Sequence, residues 1–153
     1  MTTMSKTAVD LRPDMRTALV IVHLSTIDSY AWTVGEAKAK PLAERIIRAI
    51  RKHRGPVYIV DQFWDGPLRE QIVVAVADVP AKWIEFDEDI SDWKRFLPSL
   101  KRRLTRDRVT NVIIGGVWFD PKLKEGCATE VYLYLLSTIP TKVDKSIVGC
   151  ATD

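Results

Sequence analysis

Three side chains with chemically useful groups stand beside predicted ends of secondary structure: Cys127, His23 and Glu85. Cys127 follows a glycine and begins the segment CATEVYLYLL, whose apolar residues have helical spacing. A thiol at a helix N-terminus lies at the positive end of the helix dipole, which lowers its pKa and favours the nucleophilic thiolate. The alternative interpretation is that Cys127 is a small apolar residue that packs against a helix end.

His23 closes the first apolar run of the chain, after VIV, and Glu85 closes the short run KWIE. A thiol, an imidazole and a carboxylate form a workable set of nucleophile, base and orienting group. In that hypothesis His23 takes the proton from Cys127, and Glu85 holds the imidazole tautomer. The alternative for His23 is a hydrogen-bonded structural residue, and the alternative for Glu85 is a solvated acid in a loop. A metal site built from the same three residues is a further alternative, but no dense His/Cys motif supports it.

Aromatic side chains accompany the loops that we expect to border these residues. A small substrate needs apolar walls around it, so we predict that the pocket is lined by Trp118, Phe119, Trp64 and Trp32. The alternative for each is packing in the core or at a subunit contact. Asp61 at the end of the second predicted strand is ambiguous between site and structure, and His53 at a helix end indicates a surface position. We predict no cofactor.

Strands and helices alternate along the chain. Apolar runs predict buried strands, and amphipathic stripes predict helices between them. The strands are predicted at 17–24, 57–61, 82–85, 109–117 and 141–148, and the helices at 36–54, 68–79, 98–104 and 127–137. This pattern predicts a three-layer α/β/α sandwich around a mainly parallel, five-stranded sheet.

In such sheets ligands bind beyond the carboxyl ends of the strands. We therefore expect the ends of the first, third and fourth strands to meet at one pocket. The Cys127 sulfur should then lie within one hydrogen bond or one water molecule of His23.

The length of 153 residues predicts one domain, 16–153, preceded by an N-terminal extension, 1–15. The chain is 46% hydrophobic and 28% charged, a balance that excludes a disordered or fibrous protein. No apolar run approaches the length of a membrane span, and the N-terminus does not resemble a secretory signal. Two cysteines do not make a disulfide framework, so we expect a cytoplasmic protein with reduced thiols.

The net charge is only +3, but the positive side chains are concentrated in two basic segments, 38–54 and 94–108. Each has seven basic side chains and one acid. Both segments alternate charge with a core-facing apolar stripe, which indicates a solvated helix face. The sequence has no zinc-knuckle, helix-turn-helix or RNP pattern. We therefore expect no specific nucleic-acid partner, and only weak duplex binding that vanishes near physiological salt.

Several segments resemble the isochorismatase-like cysteine hydrolase family, which includes nicotinamidases and N-carbamoylsarcosine amidohydrolases. TALVIVHLSTIDSY resembles the first strand and loop of that family, and GPVYIVDQFW resembles its second strand. FLPSLKRRLTRDRVTNVIIGGV resembles its Leu-spaced helix and fourth strand, and GCATEVYLYLL resembles the helix that begins with the nucleophile.

The resemblance implies a site in which a Cys, an Asp and a Lys act on amides, ureides or enol ethers of small molecules. The nucleophile carries over to Cys127, whereas His23 stands in place of the Asp and Glu85 in place of the Lys, with Lys82 three residues before it. Two functions follow. One is a thiol-dependent hydrolase of a small-molecule amide or related C–N bond. The other is a catalytically degenerate relative that serves in binding or assembly, and a homo-oligomer is expected under both.

Overall fold

A computed structural model describes residues 16–62, 65–85, 90–120, 122 and 126–150, and within 90–95 it describes the backbone alone. Its strands are β1 Thr17–Val22, β2 Val57–Asp61, β3 Lys82–Glu85, β4 Asn111–Val117 and β5 Thr141–Gly149. Its helices are α1 Ile27–Val34, α2 Glu36–Lys52, α3 Pro67–Ala75, α4 Ile90–Arg106 and α5 Cys127–Leu136, and a 3-10 turn, Leu24–Thr26, precedes α1.

The five strands form one sheet in the order β3-β2-β1-β4-β5, and every neighbouring pair is parallel. The prediction of a mainly parallel, five-stranded sheet is confirmed. The chain builds the sheet outward from β1 through β2 to β3, and then returns to the other side of β1 for β4 and β5. Strand order therefore reverses between β1 and β4, which is the position where open α/β sheets form a ligand crevice.

Helices cover both faces of the sheet, as the alternation along β1 requires. Ala18, Val20 and Val22 pack into one core with side chains of α4 and α5. Leu19 and Ile21 pack into a second core with side chains of α1, α2 and α3. Because successive strand residues point to opposite faces, a continuously apolar strand has to be covered twice. The three-layer α/β/α sandwich predicted from the sequence is confirmed.

Two helices differ most from the prediction. Between the first predicted strand and the helix predicted at 36–54, the structure has the 3-10 turn and α1, which buries Ile27 and Tyr30. The helix expected at 98–104 extends over Ile90–Arg106, so Pro98 lies inside it rather than in its first turn. A proline in a helix interior removes one backbone hydrogen bond. Burial of Leu100 and Leu104 on the same helix offsets that loss.

A search of the described residues for a helical stretch that could span a lipid bilayer found none.

Candidate functional site

The chain turns sharply at the carboxyl ends of the two strands that flank the reversal of strand order. His23 after β1 has φ 63° and Trp118 after β4 has φ 67°, both in the left-handed region. For residues other than glycine this backbone costs roughly 1–2 kcal/mol, and it persists only where its surroundings enforce it. The amide of His23 donates to Val60 O at 2.8 Å, and that of Trp118 donates to Gly149 O at 3.1 Å.

One hydrogen bond joins the two turns, and a second joins the later turn to α5. Trp118 Nε1 donates to Thr26 Oγ1 at 2.9 Å, and Thr26 is itself buried. The amide of Ala128, which follows Cys127 in α5, donates to Trp118 O at 3.2 Å. The first turn of α5 is therefore attached to the end of β4. We call the group formed by His23, Thr26, Gln62 and Trp118 the switch-point site, and Cys127 begins the helix attached to it.

Gln62 holds the imidazole of His23. Gln62 Oε1 lies 2.6 Å from His23 Nε2, and because an amide oxygen only accepts, the proton of the neutral ring is on Nε2. Gln62 is held in turn, since its amide donates to Ser25 Oγ at 3.0 Å. Burial lowers the pKa of His23 below its usual 6.5, against the opposing effects of Gln62 and Asp61. His23 is therefore a mainly neutral imidazole of defined tautomer at pH 7.

Glu85 occupies a different part of the sheet. It ends the edge strand β3, pairs in register with Asp61 of β2 and is exposed. Strands lie about 4.8 Å apart, so β3 is about 10 Å from β1 and about 14 Å from β4. In this order β1 and β4 are neighbours while β3 is two strands from β1, so the meeting of the three strand ends at one pocket stays a prediction. The structure assigns to Gln62 the orienting contact that was predicted for Glu85.

Cys127 is the first residue of α5, after Gly126, as predicted. Its side chain is partly buried against the core beneath α4 and α5. Burial raises the pKa of the thiol to about 11, the negative charge of Glu130 adds to that rise, and a backbone hydrogen bond opposes it. The expectation of a lowered pKa is therefore corrected. Desolvation and a carboxylate one turn along the helix outweigh the helix dipole at this position.

The four aromatic residues predicted to line the pocket have different surroundings. Trp118 is partly buried and meets the Tyr30 ring edge-on, with 5.5 Å between the ring centroids. Phe119 is buried in the core and meets Tyr132 edge-on at 5.9 Å. Trp32 is 93% exposed on α1. Trp64 lies outside the described residues.

The acids near this edge serve structural contacts. Asp61 is fully buried and pairs with Arg69 at 2.7 Å, a contact that favours a structural role. Asp28 accepts hydrogen bonds from the amides of Leu68 and Arg69 at 2.9 and 3.1 Å, and so caps the N-terminus of α3. Among the residues that the structure describes, no group of three His, Cys, Asp or Glu side chains is placed to hold a metal ion.

Sequence reasoning missed Gln62, although one signal pointed to it. Gln62 directly follows a strand that was predicted with correct bounds, so it stands at the carboxyl edge where sites form. Amide side chains carry no charge and were not considered as orienting groups.

No family model matches this chain, and a search of curated proteins found no significant match.

Proposed function

We propose that this chain is a catalytically degenerate protein of the isochorismatase-like fold that serves in binding or oligomeric assembly. The observation that carries the proposal is the state of Cys127. Its side chain is partly buried next to Glu130, and its pKa is about 11. A cysteine nucleophile acts as the thiolate, and a pKa near 11 leaves roughly one thiol in 10⁴ ionised at pH 7.

The two residues predicted to act with Cys127 add to this argument. An imidazolium next to a cysteine stabilises its thiolate. His23 is mainly neutral because burial lowers its pKa, and its Nε2 is bound to Gln62. The carboxylate of Glu85 belongs to a strand two places away from β1. The chemistry that the family pattern assigns to an Asp and a Lys has no matching groups at these positions.

The surface of α1 supports assembly. Trp32 is 93% exposed, which is unusual for the largest apolar side chain, and Val74 on the neighbouring helix α3 is 66% exposed. Tryptophan is enriched in the buried centres of protein interfaces, where it contributes a large apolar area. A contact between copies of this chain that covers Trp32 would remove that area from water.

A thiol hydrolase of a small amide or related C–N bond is the second candidate, and one observation favours it. Gln62 fixes the proton of His23 on Nε2, which leaves the lone pair of the neutral ring on Nδ1. A neutral imidazole can act as a general base during the attack of a protonated thiol, so this route needs no resting thiolate. Cys127 would then attack the carbonyl carbon while His23 takes the thiol proton, and the C–N bond would break as His23 returns that proton to the leaving amine. Water activated by His23 would next cleave the thioester, which releases the carboxylic acid and restores the free thiol.

Turnover of a panel of small primary amides and ureides separates the two candidates. If the proposal is right, the wild type hydrolyses none of them faster than Cys127→Ala does, and both proteins unfold at the same denaturant concentration. Turnover that disappears in Cys127→Ala and falls roughly 10²-fold in His23→Asn would establish the hydrolase instead. Asparagine is chosen because it tolerates the left-handed backbone at position 23.

A further inference from the structure

A basic groove lies along the C-terminal half of α4, where that helix faces α5. Its volume is about 880 Å³. Its wall includes four cationic side chains and one aromatic ring, from Lys101, Arg102, Arg103, Arg106 and Tyr134. No carboxylate lines this groove among the residues that the structure describes. The groove is therefore a concentration of positive charge on a chain whose net charge is only +3.

A second groove, of about 770 Å³, continues the first. Arg106 lines both, and the second adds Arg16, Lys82 and Arg108 beside Asp107. Arg16 precedes β1 and Lys82 begins β3, so this surface is at the amino edge of the sheet. The switch-point site is at the opposite, carboxyl edge. We call the two grooves together the basic track.

Part of the charge on the track has no ion-pair partner among the side chains that the structure describes. Lys101, Arg102 and Arg103 have no ion-pair partner in the described part of the structure. Asp107 is only 15% exposed and already binds Lys82 Nζ at 2.7 Å. Asp107 also accepts a hydrogen bond from the Tyr58 hydroxyl at 2.7 Å.

Arg103 has an unsatisfied donor. Its Nε is buried and has no hydrogen-bond acceptor among the residues that the structure describes. Buried polar groups are satisfied in the great majority of cases, so an exception calls for an explanation, and a bound ligand is one. An arginine fork matches the oxygens of a phosphate, so the guanidinium of Arg103 at the wall of this groove is suited to binding one.

We infer that the basic track binds single-stranded nucleic acid through its phosphates, without sequence preference. Two grooves in series fit a polymer of phosphates better than a single small anion. Tyr134 beside the cations offers a face on which a base can stack. Because the track is remote from the carboxyl edge, this inference is independent of the proposed function.

Fluorescence anisotropy of the full chain with a labelled oligothymidylate of about 15 nucleotides tests the inference. We expect binding at about 50 mM salt that weakens towards about 200 mM, with a slope near −0.7 per phosphate contacted. Arg102→Glu should weaken binding about tenfold or more and flatten the slope. Arg48→Glu is the matched control, since Arg48 is exposed on α2 and the change in charge is identical. It should alter affinity by no more than about twofold.

Three results would overturn the inference. The first is the absence of binding at the low salt concentration. The second is an equal loss of affinity in Arg102→Glu and Arg48→Glu, which would mean that net charge alone attracts the oligonucleotide. The third is a duplex of the same length that binds as tightly as the single strand.

Arg103→Gln, with its folding checked by thermal unfolding, should also weaken binding. The Cys127→Ala protein should bind like the wild type.

Discussion

At the scale of residues, the relative sizes of opposing effects determine whether the Cys127 thiol is ionised. The N-terminus of a helix stabilises a negative charge by about 0.3–1 kcal/mol. A rise in the thiol pKa from 9.0 to about 11 corresponds to roughly 3 kcal/mol in the opposite direction. Burial and the negative charge of Glu130 together therefore outweigh the dipole. A sequence shows that a cysteine begins a helix, but the depth of its burial is a tertiary property that local spacing does not report.

His23 should make stability depend on pH. Its pKa is lowered in the folded protein relative to 6.5, so below about pH 7 the unfolded chain binds more protons. The free energy of unfolding should therefore fall as the pH falls from about 7 towards 5, by up to about 1.4 kcal/mol per pH unit. Urea unfolding at several pH values measures this slope. In His23→Asn the slope should be shallower. Identical slopes in the two proteins would contradict the lowered pKa of His23 as the cause of the pH dependence.

At the scale of elements, local pattern predicted the strands well. β2 and β3 have the predicted bounds, because apolar runs between turn residues identify strands without knowledge of their neighbours. α1 has only eight residues, and its buried side chains are selected by the core that the other elements create. The contact between His23 and Gln62 joins residues 39 positions apart, so only the order of the strands reveals it.

The close approach of β1 and β4 depends on Gly116. Its φ is +117°, and a Cβ there would lie 2.1 Å from Val22 O. Gly116→Ala should therefore lower the free energy of unfolding by about 3 kcal/mol, from strain and clash together. Gly35→Ala is the matched control, since Gly35 has φ +92° but nothing within 4 Å of the added carbon. Denaturant unfolding should show that Gly35→Ala lowers the free energy of unfolding by about 1 kcal/mol. Equal losses in the two variants would show that the clash with Val22 does not contribute.

At the scale of the whole molecule, the two edges of the sheet carry different surfaces. The carboxyl edge holds the strained, hydrogen-bonded turns of the switch-point site, and the amino edge holds the basic track. The alternation of strands and helices in the sequence predicted the three-layer α/β/α sandwich that creates these two edges. The partners of each surface stay predictions, because side-chain charges of residues far apart in the chain combine only in the folded molecule.

Self-association should depend on Trp32. If copies of this chain meet through α1, Trp32→Arg should reduce the mass measured by light scattering to that of the 17.4 kDa monomer. Leu133→Arg is the control, because Leu133 is 40% exposed on α5, which covers the other face of the sheet. It should leave the mass unchanged. A wild type that is monomeric at every concentration would contradict the proposal that copies of this chain assemble.

The pH dependence of Cys127 alkylation tests the central claim most directly. The measurement uses Cys150→Ser, which leaves Cys127 as the single thiol. With a pKa near 11, the rate of alkylation by iodoacetamide should rise tenfold per pH unit to about pH 10 without a plateau. At neutral pH it should be about a hundredfold slower than that of a free thiol. Glu130→Gln should raise the rate, because it removes one of the causes of the raised pKa. Rapid alkylation at neutral pH, with a plateau whose midpoint lies below about 8.5, would contradict the account and identify Cys127 as an activated nucleophile.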